Sequence, residues 1–292
     1  MNRSDPTVIR VHEDRDWFLE AVNFTAATTG FSPRLIEKDY FCTVLLQHLA
    51  TAGVLVFKGG TCLAKVHGEF YRLSEDLDFL IPVPWEVKST ERKVRAAEAK
   101  KTVLALEKRV PAFHVVKGWT GANRSTQYVA VIGYDSLLGP QQDNIKIEIG
   151  LREPLLTPIC NGTARTVLLD PMSGRQMVPH IALPCISRME AFAEKFRAAL
   201  SRREVAIRDF YDIDYAVRRL DLRPQEPALI ELVRQKLAVP GNEAVNVSDQ
   251  RLAMLRPQLE SQLKPVVRSK DFAEFDLGRA FQVVVEMANK TR

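Results

Sequence analysis

Residues 57–81 read FKGGTCLAKVHGEFYRLSEDLDFLI, and they constrain the fold more than any other part of the chain. A β-rich run, GVLVF (53–57), ends at Gly59-Gly60. TCLAKVHG (61–68) reads as a helix that stops at Gly68. DLDFLIPV (76–83) alternates like a strand until Pro82 and Pro84 end it. The predicted unit is a strand, a glycine turn that opens a helix, and a second strand. Two glycines at such a junction let a ligand approach the backbone closely, because no Cβ intervenes. A helix starting there offers unpaired N–H groups and a positive dipole end to an anion. Thr61 is placed as its cap or as a hydroxyl donor. Asp76 and Asp78 are two apart on a strand, so both carboxylates point to one face, while Leu77 and Phe79 point to the other. Adjacent carboxylates repel unless a cation sits between them. Oxygen ligands of this kind suit Mg2+ shared with phosphate groups, and a pair of ions would activate a hydroxyl and neutralise a leaving pyrophosphate.

A third carboxylate belongs on a neighbouring strand. NIKIEIGL (144–151) alternates, placing Glu148 on one face with Lys146 and Ile145, Ile147 and Ile149 on the other. Glu148 reads equally as a metal ligand or general base and as a solvated residue in a cross-strand ion pair. Further on, Met189, Phe192, Phe196 and Ala199 form a helical stripe with Lys195 off it. Asp209 and Asp212 are three apart, hence neighbours on a helix face, with Arg202, Arg203 and Arg208 nearby. Taken alone, that group reads as an ion-pair lace.

The order of elements predicts an α+β lobe followed by an α-helical lobe, divided as 1–185 and 186–292. Helices are expected at 14–30 and 33–52, and strands at 112–118, 126–134, 144–151 and 164–169. TGANRS (120–125) is expected to link a hairpin. Residues 152–186 are irregular, and the chain is helical from 187 onward. Residues 88–109 predict one charged helix with eight basic and three acidic side chains. That local excess equals the net charge of +5 for the whole chain, which has 41 Lys plus Arg against 36 Asp plus Glu. It reads as a solvated face or as a footprint for RNA or DNA. With 46% hydrophobic and 26% charged residues, the composition argues against disorder, collagen and coiled coil. The four cysteines form no C-x-x-C pair and the five histidines no H-E-x-x-H motif. All nine are expected to be packing residues in a reducing cytosol. No apolar run is long enough for a membrane span, and MNRSDPTVIRVHEDRDWF lacks the apolar core of a signal peptide, so a cytoplasmic protein is expected.

FKGGT followed by D-x-D resembles the nucleotidyltransferase superfamily signature. More narrowly, the chain resembles the AbiEii/AbiGii toxin family of bacterial toxin–antitoxin and phage-abortive systems. The likeness rests on IEKDYF (36–41), FKGGTCLAK (57–65), RLSEDLDF (72–79) and EKFRAALSRREVAIRDFYDI (194–213). It implies a nucleotidyltransferase-like mixed sheet with flanking helices, followed by the helical lobe. By the same resemblance, Asp76 and Asp78 hold Mg2+ and the nucleoside triphosphate; Glu148, from the strand pattern alone, is added as a candidate third ligand. Lys58, Gly59, Gly60, Thr61, Arg72, Ser74 and Lys195 bind the nucleoside triphosphate, and Asp209 or Asp212 completes the site. The implied reaction is nucleotide transfer from an NTP to RNA, with the tRNA 3′ acceptor end as the leading substrate, blocking translation and growth. The implied partner is an antitoxin protein or an antitoxin kinase acting at Ser74. Transfer to a protein or small-molecule hydroxyl, and a nucleotide-binding regulatory module without turnover, are the rival readings.

Overall fold

In the computed structural model, which describes residues 9–292, the chain divides into two compact units. The first runs to Pro154 and takes in Ile159–Cys185; the second comprises Leu155–Pro158 and Ile186–Arg292. Met1–Val8, the start of the segment read above for a signal peptide, lie outside the described residues.

The first unit is built on a mixed seven-stranded sheet in the order β3-β4-β5-β2-β1-β7-β6. The strands are β1 (Val56–Lys58), β2 (Leu77–Leu80), β3 (Phe113–Ala122), β4 (Gln127–Asp135), β5 (Gln142–Gly150), β6 (Cys160–Ala164) and β7 (Ile181–Cys185). β2 pairs antiparallel with β1 and parallel with β5, and β1 pairs parallel with β7. The period of two sets the layers. Phe57, Phe79, Ile145, Ile147 and Ile149 are fully buried on the core face. Helices α1 (Arg15–Thr29) and α2 (Pro33–Leu49) complete that core. Phe41 of α2 stacks on Tyr134 of β4 at 4.1 Å between ring centroids and meets Phe113 of β3 edge-on.

α2 is buried along nearly its whole length, charged residues included. The IEKDYF segment explains this. Lys65, completely buried, reaches the Asp39 carboxylate at 2.6 Å, and also donates to the Asp39 carbonyl, the Thr43 hydroxyl and the Arg165 carbonyl. The second Asp39 oxygen accepts from the Val167 N–H at 2.9 Å and the Thr166 hydroxyl at 3.1 Å. This ion pair therefore ties α2 to the FKGGTCLAK segment and to the chain after β6. It also explains why 164–169 is not the expected strand. Pairing ends at Ala164, because Arg165–Val167 turn their backbone onto Asp39 and Lys65.

Other expectations shift as well. The helix expected at 61–68 begins at Gly59, as one α-turn, α3 (Gly59–Cys62), followed by a π-turn (Leu63–His67). The single charged helix at 88–109 is three pieces, α4 (Ser89–Arg95), α5 (Ala97–Leu104) and α6 (Leu106–Arg109). Ala96 and Ala105 take φ/ψ of −79/−10° and −82/−5°, which interrupts the α-helical ladder at each junction. The hairpin link falls at Asn123–Ser125, all three with positive φ.

The second unit is helical: α7 (Arg188–Ser201), α8 (Ile207–Arg219), α9 (Pro227–Ala238), α10 (Asp249–Leu255), α11 (Ser269–Glu274) and α12 (Leu277–Thr291). Ser187 caps α7 by accepting from the Glu190 N–H. Phe192, Phe196 and Ala199 line its buried face, whereas Met189, expected on that stripe, is half-buried. Phe210 stacks on Phe281 with their planes 9° apart.

Candidate active site

The sheet register assembles the site. Lys58 of β1, Asp78 of β2 and Glu148 of β5 are aligned partners across three adjacent strands. They share the face opposite Phe57, Phe79 and Ile147. Asp76 is not on the strand as expected, since β2 begins at Leu77. The Thr61 hydroxyl donates to the Asp76 carbonyl and so occupies a group the strand ladder would have used. Thr61 is buried, and its hydroxyl ties the start of the helix to the acidic segment. The Asp76 carboxylate still joins the cluster, because Lys146 Nζ lies 3.5 Å from Asp76 Oδ2 and 3.6 Å from Glu148 Oε2.

Gly59 and Gly60 are required by contact. Gly59 has φ +76°, and a Cβ there would stand 2.2 Å from Asp78 Oδ2. A Cβ on Gly60 would stand 2.6 Å from Arg72 Nη2 and 3.1 Å from Ser74 Oγ. The glycine turn is thus laid directly against the acid, the guanidinium and the hydroxyl of the RLSEDLDF segment. Arg72 is buried and donates to the Leu73 carbonyl. The helical segment behind the junction runs on through the π-turn to His67. The junction also supplies close backbone access beside the Asp78 carboxylate.

The electrostatics are those of crowded acids. Burial, then Glu148 and Asp76, push the Asp78 carboxyl up to about 6, against the opposing pull of Lys58 and Lys146. Burial works against the charge on Lys146, but Asp76, Glu148 and Asp78 outweigh it and raise its pKa. Lys146 is therefore the built-in counterion of the three acids. The alternating pattern put it beside Glu148 but assigned it no role. Among the described residues, Asp76, Asp78 and Glu148 are not drawn together as tightly as a second cluster, Cys62, His67 and Cys185, whose donor atoms all lie within 4.8 Å of one another. The acids instead surround an ammonium group. Their all-oxygen donor set, with one raised pKa, fits a hard divalent cation.

In the second unit Lys195 is held 2.8 Å from both Asp209 Oδ1 and Asp212 Oδ2. Arg202 approaches Asp209 Oδ2 at 3.6 Å, but that oxygen is buried and accepts no hydrogen bond. The structure brings Lys195, Asp209 and Asp212 together, as it does the acids of the sheet. Of the eight basic residues at 88–109, Arg92 is buried with a bond to the Trp85 carbonyl, and Lys100 lies over the Tyr128 ring. The other six, Lys88, Lys93, Arg95, Lys101, Lys108 and Arg109, are exposed.

The family model for "Nucleotidyl transferase AbiEii toxin, Type IV TA system" matches residues 44–286. The chain belongs to the AbiEii toxin family. The match takes in the glycine turn, the acids and the Lys195 group; IEKDYF lies just before it. Two Helicobacter pylori crystal structures are similar to this AbiEii chain. A candidate nucleotidyltransferase is 13% identical with a TM-score of 0.51, covering 89% of this chain and 96% of that one. JHP933 is 14% identical with a TM-score of 0.49, covering 89% and 93%. The first of these likenesses shows the fold. No curated protein sequence matches the chain. No helix among the described residues is long and apolar enough to cross a membrane.

Proposed function

We propose that this AbiEii family member transfers a nucleotide from an NTP to an RNA end, with the tRNA 3′ acceptor end as the leading substrate, and thereby blocks translation. The observation that carries the reading is the row of Asp78 and Glu148, joined by Asp76, beside a glycine turn packed against Asp78, Arg72 and Ser74. Asp76, Asp78 and Glu148 are the residues to hold Mg2+, with a two-ion site allowed by three carboxylates. When bound, Mg2+ supplies charge neutralisation of the phosphates and a lowered hydroxyl pKa. The chain's own work is to lay Gly59–Gly60 against the triphosphate, to place Lys58 and Arg72 as cations beside it, and to offer a carboxylate to the attacking hydroxyl's proton. Lys195, Asp209 and Asp212 form a second functional set, tested separately by Lys195→Ala. Ser74 lies against Gly60, so a phosphate on it would add negative charge beside the acids and silence the site, the route proposed for an antitoxin kinase.

Incubation with labelled NTPs and total tRNA is expected to label tRNA 3′ ends, and Asp76→Ala to abolish the label. Equal labelling by wild type and Asp76→Ala would sink the assignment. Label appearing on protein extract in competition with tRNA would move it to a protein hydroxyl. The six exposed basic residues at 88–109 support the RNA part. Replacing Lys93, Lys101 and Lys108 by Ala is expected to weaken tRNA binding, measured by filter retention across a salt series. If each makes one phosphate contact, the log–log salt slope falls by roughly 2–3. An unchanged slope would place the RNA elsewhere.

A further inference from the structure

Cys62, His67 and Cys185 meet at a point that the nucleotidyl-transfer chemistry does not use. Their Sγ and ring nitrogen atoms all lie within 4.8 Å of one another. Both cysteines are completely buried and His67 is half-buried. We propose that these three side chains bind a thiophilic divalent cation of the Zn2+ type, distinct from the hard cation assigned to the acids.

Three features of the fold converge on this site. First, Cys62 and His67 are five residues apart. In an α-helix they would point about 140° away from each other. The π-turn over Leu63–His67 instead brings residues at that spacing over one another. Second, Cys185 ends β7 and is aligned with Phe57 of β1, so it faces the core together with Phe57. Gly162 gives its sulfur room, since a Cβ there would stand 2.5 Å from Cys185 Sγ. Third, Cys160 is paired opposite Cys185 on β6, on the same face and half-buried, which places a further sulfur on the neighbouring strand.

The chemistry is consistent with burial. Two thiolates and a neutral imidazole around a divalent ion carry no net charge, which limits the desolvation cost of an enclosed site. A tetrahedral ion with S at about 2.3 Å and N at about 2.0–2.1 Å needs donors somewhat closer than 4.8 Å, a closure within reach of side-chain rotation. Soft sulfur ligands select against Mg2+. The ion would staple the turn that follows Gly59-Gly60-Thr61 to the edge of β7. Cysteine and histidine spacing in the sequence does not expose the site, because its ligands come from a π-turn and from a strand more than a hundred residues away.

The test uses the full chain. Protein purified without chelator is expected to hold about one zinc per chain by mass spectrometry of the metal content, a stoichiometry set by one tetrahedral site. After removal of zinc, Co2+ is expected to give sulfur-to-cobalt charge-transfer absorption and intense visible bands, both unaffected by excess Mg2+. Cys62→Ser, Cys185→Ser and His67→Ala are expected to lose the metal, whereas Cys42→Ser, a buried cysteine outside the cluster, keeps it. The wild-type Co2+ spectrum decides the question even if a variant fails to fold. Wild-type protein, kept reduced throughout, with no zinc and no sulfur-to-cobalt band overturns the proposal.

Discussion

Asp78→Asn is expected to remove nucleotidyl transfer and to leave a protein that is more heat-stable than the wild type near neutral pH. The two effects have one cause. The Asp78 carboxyl is pushed up to about 6 from its ordinary 3.8 by burial, Glu148 and Asp76. The native state therefore keeps a proton that the unfolded chain has lost between about pH 4 and pH 6. Native stability falls as pH rises through that window, and the cost persists above it. A shift of this size corresponds to up to about 3 kcal/mol. Asparagine keeps the shape and removes the charge, so the metal-free variant is expected to melt several degrees higher at pH 7.5 and to lose the wild type's decline between pH 4 and pH 6. Adding Mg2+ is expected to raise the wild-type melting temperature and leave that of Asp78→Asn nearly unchanged. Loss of a charge at the reacting centre is expected to cost about 10²–10³-fold or more in turnover. Differential scanning calorimetry across pH, alongside tRNA labelling, measures both. A variant that is less stable than wild type at neutral pH, or as active, would refute the reading of Asp78 as a strained, cation-seeking acid.

Lys65→Met is expected to be the most destabilising single change, about 3–5 kcal/mol in urea denaturation. Lys65 and Asp39 are both buried, and Asp39 keeps its bonds to Thr166 and Val167 when Lys65 is removed, so the charge stays behind without a partner. Lys65→Met with Asp39→Leu is expected to recover much of the loss, because no lone charge remains. A double-mutant cycle separates this from simple packing loss. If Lys65→Met costs less than about 1 kcal/mol, the ion pair does not hold α2 to the turn after Gly59-Gly60. The effect reaches the site indirectly, since Lys65 is four residues beyond Thr61, which positions Asp76.

IEKDYF, which entered as a family likeness, is thereby explained by physics. Its Asp39 answers Lys65 within FKGGTCLAK, and its Lys38 pairs with Asp143 of β5 at 3.0 Å and with Glu75 of the acidic segment at 3.4 Å. The segment braces the site from behind and takes no place in it.

Local patterns were readable wherever local sterics decide the outcome. Alternation in NIKIEIGL placed Ile145, Ile147 and Ile149 inside and Glu148 with Lys146 outside, since a strand has a period of two whatever it pairs with. The glycine pair marked the turn because any side chain at Gly59 would stand on Asp78. The acids of D-x-D were found for the same kind of reason, although their strand begins one residue later than the pattern suggested. The breaks at Ala96 and Ala105 were not readable, because alanine favours an unbroken helix and no residue there signals a stop.

Residue order alone thus determined the strand–glycine–helix–strand unit, the faces of its strands and the charged stretch at 88–109, all set by neighbours a few positions apart. Only the tertiary structure decided that β5 lies parallel to β2, and hence that Glu148 stands beside Asp78 and Lys146 among three acids. Only it brought Cys185 to Cys62 and His67. Such meetings depend on which distant strands pair and in what register. That choice is made by the burial of whole sheet faces against α1 and α2, and no short stretch of sequence carries it.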